Sequence, residues 1–376
     1  MCKPKLVSVL LIGIIAFGVF LTYVSPAQAR DRAFIDLSLD FLGEYQLPQT
    51  DFDPPISGIS AITYDRKRDR LIAVCGDAPA RFYTLKLTLD RTDAEKIGIH
   101  TDVESVTFLT DKDGKPYSKG TINPGGVALT PQKTLFISSD GTPSVQEFDL
   151  NGKLQTSLPI PDHYLLNTEH TKGIQDNLGF AALTLNPTGT IPATGEPIRL
   201  FTATESALIQ DRELPNSTEK TKSRFLHYLI GFGPPVVIAE HFYPLENPAT
   251  NLVELLAISA GGHFLSLEQS EGVSGSNIKI FQMTTGGATD TSGITSLKGA
   301  LTGTRPLKKK LLFDLNKLGI PLDNLQGMAF GPRLSDGTQS LLLVSNNTQQ
   351  ATQLLLFRLN QPQSEMTIRS KLKSDR

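Results

Sequence analysis

One arrangement of residues recurs five times along the chain and limits what it can fold into. Its clearest copy runs from Asp323 to Asn347. A polar turn (Asp323, Asn324) leads into Gly327-Met328-Ala329-Phe330. A loop with Pro332 and the Asp336-Gly337 turn follows, and then the apolar run Leu341-Leu342-Leu343-Val344 stops at Ser345-Asn346-Asn347. Two short apolar runs joined by turn residues read as antiparallel strands. The other copies span Ser57–Tyr64 with Leu71–Cys75, Gly125–Leu129 with Thr134–Ser138, Asn177–Leu185 with Arg199–Thr204, and Leu252–Ser259 with His263–Leu267. Asp102 to Phe108 reads as the opening of the second unit. Outer strands follow at Phe82–Leu89, Val145–Leu150, Arg224–Leu229, Ile278–Met283 and Gln353–Leu359. The first of these alternates at period two over most of its length, as a half-buried strand does.

Short repeated strand units with few helix signals point to an all-β chain, a β-propeller of three- to four-stranded blades around a channel. About six blades are expected, with Asp36 to Leu47 supplying a strand or a blade that closes the ring. Asn151-Gly152 reads as a type I′ hairpin turn. Leu311 to Leu318 reads as a short helix and Lys308-Lys309-Lys310 as a solvated turn.

The N-terminus carries a different signature. Lys3 and Lys5 precede an apolar stretch from Val7 to Val24, and Ala27-Gln28-Ala29 offers a small-x-small cleavage site, so residues 1–29 read as a secretory signal peptide. An uncleaved anchor is the rival reading. The domain then spans 30–360, with a polar, basic tail over 361–376. The localisation expected is periplasmic or extracellular, with no membrane partner after cleavage. A net charge of −2 leaves no basic field for nucleic acid, and a monomer is expected. Cys75 is the one cysteine after the leader, so no internal disulfide forms and a core must hold the fold.

Acids and amides fall at strand ends and turns: Asp77, Glu104, Asp140, Glu205, Glu268, Asp323 and Asn346. Propeller strand ends converge near the axis, where gathered carboxylates repel one another unless a cation neutralises them. Ca²⁺ takes its oxygens from such scattered carboxylates, amides and carbonyls. Some subset of these seven residues is expected to hold the cation. The expected substrate contacts are Asp77, His263, Asn324 and Asn346. Each residue could instead cap its own turn. No G-x-S-x-G, H-E-x-x-H or C-x-x-C occurs, which leaves serine hydrolase, zincin and thiol redox chemistry without local support. His227, in an alternating strand, reads as structural. Glu240 and His241 should point to opposite faces of a strand.

From Gly58 to Asn347 the chain resembles the phytase-like family, described as having esterase-like activity of phytase. The resemblance rests on Ser57-Gly-Ile-Ser60, Tyr64-Asp65, Arg81-Phe-Tyr83, Asp102-Val-Glu104, Ser138-Ser-Asp140 and Glu147-Phe-Asp-Leu-Asn-Gly152. It continues in Asn177-Leu-Gly-Phe180, Thr204-Glu205, Leu265-Ser-Leu-Glu268, Asp323-Asn-Leu-Gln-Gly327 and Leu343-Val-Ser-Asn-Asn347. It implies an exported β-propeller that hydrolyses phosphate or carboxylate esters with Ca²⁺ held by the metal ligands Glu104, Glu205 and Glu268, with Asp140 and Asp323 assisting. The chain departs from the family at acids. Gly179-Phe180-Ala181-Ala182 stands where the family has Gly-Phe-Glu-Gly, Gln326 where it has Glu, and Asn346 where it has Asp. Those losses keep a second reading open, a binding propeller with reduced chemistry.

Overall fold

The computed structural model describes residues 33–47, 53–91, 97–186, 197–348 and 351–361, apart from positions 78, 119, 215, 232, 259–260 and 273–274. The leader at 1–29 and the tail beyond 361 lie outside the described residues. The strands form five antiparallel sheets of four. Blade one is β2 (Ile59–Asp65), β3 (Arg70–Cys75), β4 (Arg81–Arg91) and β5 (Ile97–Phe108). Blade two is β6 (Pro124–Leu129), β7 (Thr134–Ser139), β8 (Ser144–Asp149) and β9 (Leu154–Ser157). Blade three is β10 (Phe180–Leu185), β11 (Ile198–Thr204), β12 (Lys222–Ile230) and β13 (Val236–Pro244). Blade four is β14 (Thr250–Ala257), β15 (His263–Gly272), β16 (Gly275–Thr284) and β17 (Lys308–Asp314). Blade five joins the chain ends: β18 (Leu325–Arg333), β19 (Gln339–Ser345), β20 (Thr352–Asn360) and, outermost, β1 (Ser38–Leu47).

The first strands β2, β6, β10, β14 and β18 neighbour one another in a closed circle. The ring therefore has five blades rather than six. The segment expected to add a strand or blade adds one strand, because β1 pairs along β20 from Ser38↔Asn360 to Leu47↔Thr352. Such pairing fastens the first strand of the chain to the last and leaves no open seam in the ring.

Face-to-face packing of blades explains the unbroken apolar runs. In β3, Leu71, Ala73 and Cys75 pack towards blade five, with Leu342, Val344 and Leu356. Their alternates Ile72 and Val74 pack towards blade two, with Val127, Leu135 and Ile137. A strand buried on both faces has no solvent side to carry polar residues. Cys75 is buried, and burial pushes its thiol up to about 12, so it stays a protonated core residue.

Four local expectations are corrected. The Lys308-Lys309-Lys310 run lies in β17, and its neighbour segment Leu315–Leu318 is a 3₁₀ turn rather than a full helix. Asp102 to Phe108 closes blade one as β5 instead of opening blade two. At Asn151-Gly152 the Gly152 N–H bonds the Asp149 carbonyl at 3.0 Å, and Gly152 alone takes positive φ, +83°. That is a type I turn with a left-handed glycine, held by Asp149 Oδ1 accepting from the N–H groups of Asn151 and Lys153.

Candidate functional site at the axial mouth

Each first strand bulges at the same place. The pairs Ile59↔Cys75, Pro124↔Ser139, Phe180↔Thr204, Leu252↔Glu268 and Leu325↔Ser345 all precede a register shift. A bulge bends its strand and re-aims a side chain. Here the five bends coincide at one end of the ring. Just outside each pair sit two flanking residues: Gly58 and Gly76, Asn123 and Asp140, Gly179 and Glu205, Asn251 and Gln269, Asn324 and Asn346.

Backbone hydrogen bonds lace these residues from blade to blade. Gly179 N–H donates to Asp140 O (2.9 Å), Glu205 N–H to Gly179 O (2.7 Å), and Leu252 N–H to Glu205 O (2.8 Å). Gly58 N–H donates to Asn347 O at 3.0 Å, which joins blade five to blade one. Asp140 and Glu205 thus hang from the two sides of one glycine. A Cβ on Gly179 would lie 2.4 Å from the Asp140 carbonyl oxygen. Gly179→Ala is therefore expected to push Asp140 and Glu205 apart and to cost about 1–3 kcal/mol of stability, as overpacking does. Chemical denaturation checks the loss.

Asp140 and Glu205 feel each other electrostatically, and both carboxyls are raised. Burial pushes Glu205 up to about 8, the Asp140 charge adds to the rise, and the hydrogen bond from Asn251 opposes it. Burial likewise pushes Asp140 up to about 6, against the hydrogen bond from Asn123. Asn251 Nδ2 lies 2.8 Å from Glu205 Oε1, and Asn123 Nδ2 donates to Asp140 Oδ1. On the far side of the mouth Gln269 Nε2 donates to Asn324 Oδ1 at 2.9 Å. At neutral pH the pair holds one proton: Glu205 carries it and Asp140 is mostly ionised.

The other expected ligands lie elsewhere. Glu104 is on β5, the outermost strand of its blade, 39% exposed and 2.5 Å from Arg70. Glu268 pairs with Leu252, one residue short of the mouth, and turns to Lys309 and the Tyr243 hydroxyl. Period-two alternation makes that one-residue offset a change of face. Asp323 accepts from Asn324 N–H and Asn347 Nδ2, both at 2.8 Å. Of the expected substrate contacts, Asn324 and Asn346 reach the mouth. Asp77 binds Ser57 Oγ (2.9 Å) and Arg81 Nη1 (2.8 Å) beside it. His263 begins β15, whose other end carries Gln269, so it sits at the opposite end of the blade. His227 stacks on Phe201, with ring centroids 4.3 Å apart.

The sequence reading passed over Asn123, Asn251 and Gln269, although each occupies a position equivalent to an expected residue. It also passed over Arg224. Fully buried, Arg224 bonds Asp211 (Nε–Oδ2 2.7 Å, Nη2–Oδ1 3.1 Å) and Glu240 (Nη1–Oε1 2.5 Å). Glu240 also accepts from Tyr164 Oη and pairs with His163 Nε2, while His241 turns the other way to the Thr289 carbonyl.

The profile described as "Phytase-like: Esterase-like activity of phytase" matches residues 54–348, well over half of the chain. The chain belongs to the phytase-like family. No curated protein matches it. Solved structures similar to this phytase-like chain include virginiamycin B lyase from Staphylococcus aureus, at 11% identity over 87% of this chain and 100% of that one, TM-score 0.35. A GH62 hydrolase in complex with xylotriose is similar at 10% identity over 85% and 97%, TM-score 0.39. An α-L-arabinofuranosidase from Podospora anserina in complex with cellotriose is similar at 11% over 86% and 97%, TM-score 0.36. Likeness at such scores bears on neither the fold nor the chemistry of this chain.

Two of the positions expected to differ from the family lie at the bulges. Ala181 and Gln326 are the residues skipped by the register in β10 and β18. Gln326 Oε1 accepts from Asn346 Nδ2 at 2.7 Å, so these two amides bond each other. Among the described residues no group of three or more His, Cys, Asp or Glu is placed to hold a metal. The five expected calcium ligands do not fit a shared site: arginine, lysine and amide donors already hold Glu104, Glu268 and Asp323. At the mouth, Asn123 and Asn251 direct N–H groups, not oxygens, at the two remaining carboxylates.

Proposed function

We propose that this phytase-like protein is an exported hydrolase of small-molecule esters, carboxylate or phosphate, acting at the Asp140–Glu205 pair. The observation that carries this reading is one mouth holding two carboxyls whose surroundings set their proton affinities apart. That separation supplies an acid and a base near neutral pH. Ionised Asp140 takes a proton from a water as the water oxygen bonds to the acyl carbon or phosphorus. Glu205 gives its proton to the leaving oxygen as the bond from that oxygen to the acyl carbon or phosphorus breaks. The alcohol and the acid depart, and proton exchange with solvent resets the pair.

One feature supports export. The leader has the layout of a signal peptide. Among the described residues no helix is long and apolar enough to cross a membrane.

The testing experiment is release of p-nitrophenol from acetate, butyrate and phosphate esters, with and without EDTA. Turnover of at least one substrate is expected, and EDTA is expected to leave it unchanged, since neither proton step draws on calcium. Absence of turnover on every ester overturns the hydrolase. Loss on chelation overturns the metal-free mechanism.

The Gln326–Asn346 bond favours a second reading, a propeller that binds without turnover. Neutral amides bonded to each other keep the mouth shape without the charge of the family acids.

A further inference from the structure

A cavity of about 300 Å³ lies outside the mouth, against the two outer strands of blade three. Its second wall comes from residues 285–307, which connect β16 to β17 in blade four. That connection is far longer than an ordinary loop, and long loops in compact domains are usually functional. It is laid along the edge of β13: Thr291 N–H donates to Glu240 O at 2.7 Å, and Leu307 N–H to Phe242 O at 3.0 Å. Gly299 N–H donates to Glu213 Oε1 at 3.0 Å. The cavity is thus a seam between two blades, held in shape by these bonds.

The walls of the seam differ in character. Phe242, Pro244 and Leu301 supply apolar surface, and Phe242 is buried. Lys222 also lines the space, with its side chain only 6% exposed. Its Nζ donates to Glu213 Oε1 (2.6 Å) and to Gly299 O (3.0 Å). An ammonium carries three N–H donors, and the third has no acceptor among the described residues. Buried donors are nearly always satisfied, so the missing acceptor falls to whatever fills the cavity.

We propose that this seam binds a small carboxylate with an apolar body, an aryl or branched aliphatic acid. One carboxylate oxygen takes the third N–H of Lys222, and the body lies on Phe242, Pro244 and Leu301. The lining carries Lys220 and Lys222 against Glu219, an excess of positive charge. Glu213, behind it, is already covered by Lys222 and the Gly299 N–H. Lys220 is loosely held, 3.7 Å from a Glu246 oxygen that lies closer to Lys309, at 3.2 Å. It is therefore available to the other carboxylate oxygen. With ~30 Å³ for each water, the space equals about ten waters and suits a ligand of about ten non-hydrogen atoms. This site is independent of the ester chemistry proposed at the mouth.

Isothermal titration calorimetry on the mature protein tests this with phenylacetate and 4-methylpentanoate. Phenylacetamide, phenethylamine and acetate serve as the neutral, cationic and bodiless counterparts. Both acids are expected to bind, about fivefold or more tighter than any counterpart, as a hydrogen bond between charged groups allows. Lys222→Met alone would strand Glu213, so it is combined with Glu213→Gln; this double variant is expected to lose the preference for the acid over its amide. Leu301→Asp, at a half-buried position, is expected to weaken both acids about tenfold. Asn346→Ala, at the axial mouth, is expected to leave their binding unchanged. Absence of binding by both acids, equal or tighter binding of the amide or the amine, or binding that ignores the Leu301 substitution overturns the proposal. So does binding lost in Asn346→Ala, which would move the ligand to the mouth.

Discussion

Replacing Arg224 with methionine is expected to destabilise the protein by about 3–5 kcal/mol, the cost of breaking a buried ion pair by removing one partner. Arg224 has no accessible surface in its side chain, and neither do Asp211 and Glu240. Its guanidinium also donates to the carbonyls of Ile294 and Thr295. Both carboxylates share that guanidinium, and Asp211 and Glu240 hold it well above its ordinary pKa. Methionine fills the space but strands two charges, and it removes the bonds that tie Asp211, Ile294 and Thr295 to β12. Arg224→Lys keeps the charge yet loses the fork that meets both Asp211 oxygens, so an intermediate loss is expected. Urea titration of the three proteins measures the order. A methionine variant as stable as the parent would show that the network contributes nothing. If Asp211 and Glu240 are made apolar as well, most of the loss should return, because no buried charge is left without a partner.

Glu205→Gln is expected to lower kcat/KM on any ester turned over by about 10²–10⁴-fold, the usual contribution of a positioned proton donor. The parent should show a bell-shaped pH profile, rising as Asp140 ionises near 6 and falling as Glu205 loses its proton near 8. These limbs belong to the pair, since the groups interact. The glutamine variant should lose the alkaline limb. Stability supplies a second readout with a definite sign. Glu205 has a native pKa of about 8 against an ordinary 4.5. Its contribution is fully present below 4.5 and is lost as pH rises through 8. Relative to the parent, Glu205→Gln should therefore gain stability between pH 5 and pH 9, an interval inferred from those two values. A gain that does not change with pH contradicts the raised pKa.

Much of the fold was legible because its cause is local. Continuous apolar runs such as Leu71–Cys75 and Leu341–Val344 mark strands buried on both faces, and Asp-Gly and Gly-Gly mark the turns between them. Blade number was less so. β1 looks in sequence like the start of a new unit, and only its pairing with β20 makes it the outer strand of the last one. The site was half legible for a similar reason. Glu205 and Glu268 each end an apolar run, but Glu205 lies one residue beyond the Phe180↔Thr204 pair whereas Glu268 is itself paired with Leu252. Register across strands decides which of them sees the axis, and a single strand does not carry its register. Glu104 misled because its motif belongs to an outer strand. Asn123, Asn251 and Gln269 carry no charge to mark them in sequence, although amides carry much of the hydrogen bonding at the mouth.

Carbon-13 NMR titration of the Glu205 carboxyl, in the parent and in Asp140→Asn, tests whether ring closure makes a coupled pair at the axis. The account predicts a midpoint near 8 in the parent, moving down once the Asp140 charge is removed. A midpoint near 4.5 that ignores the Asp140 substitution would contradict it.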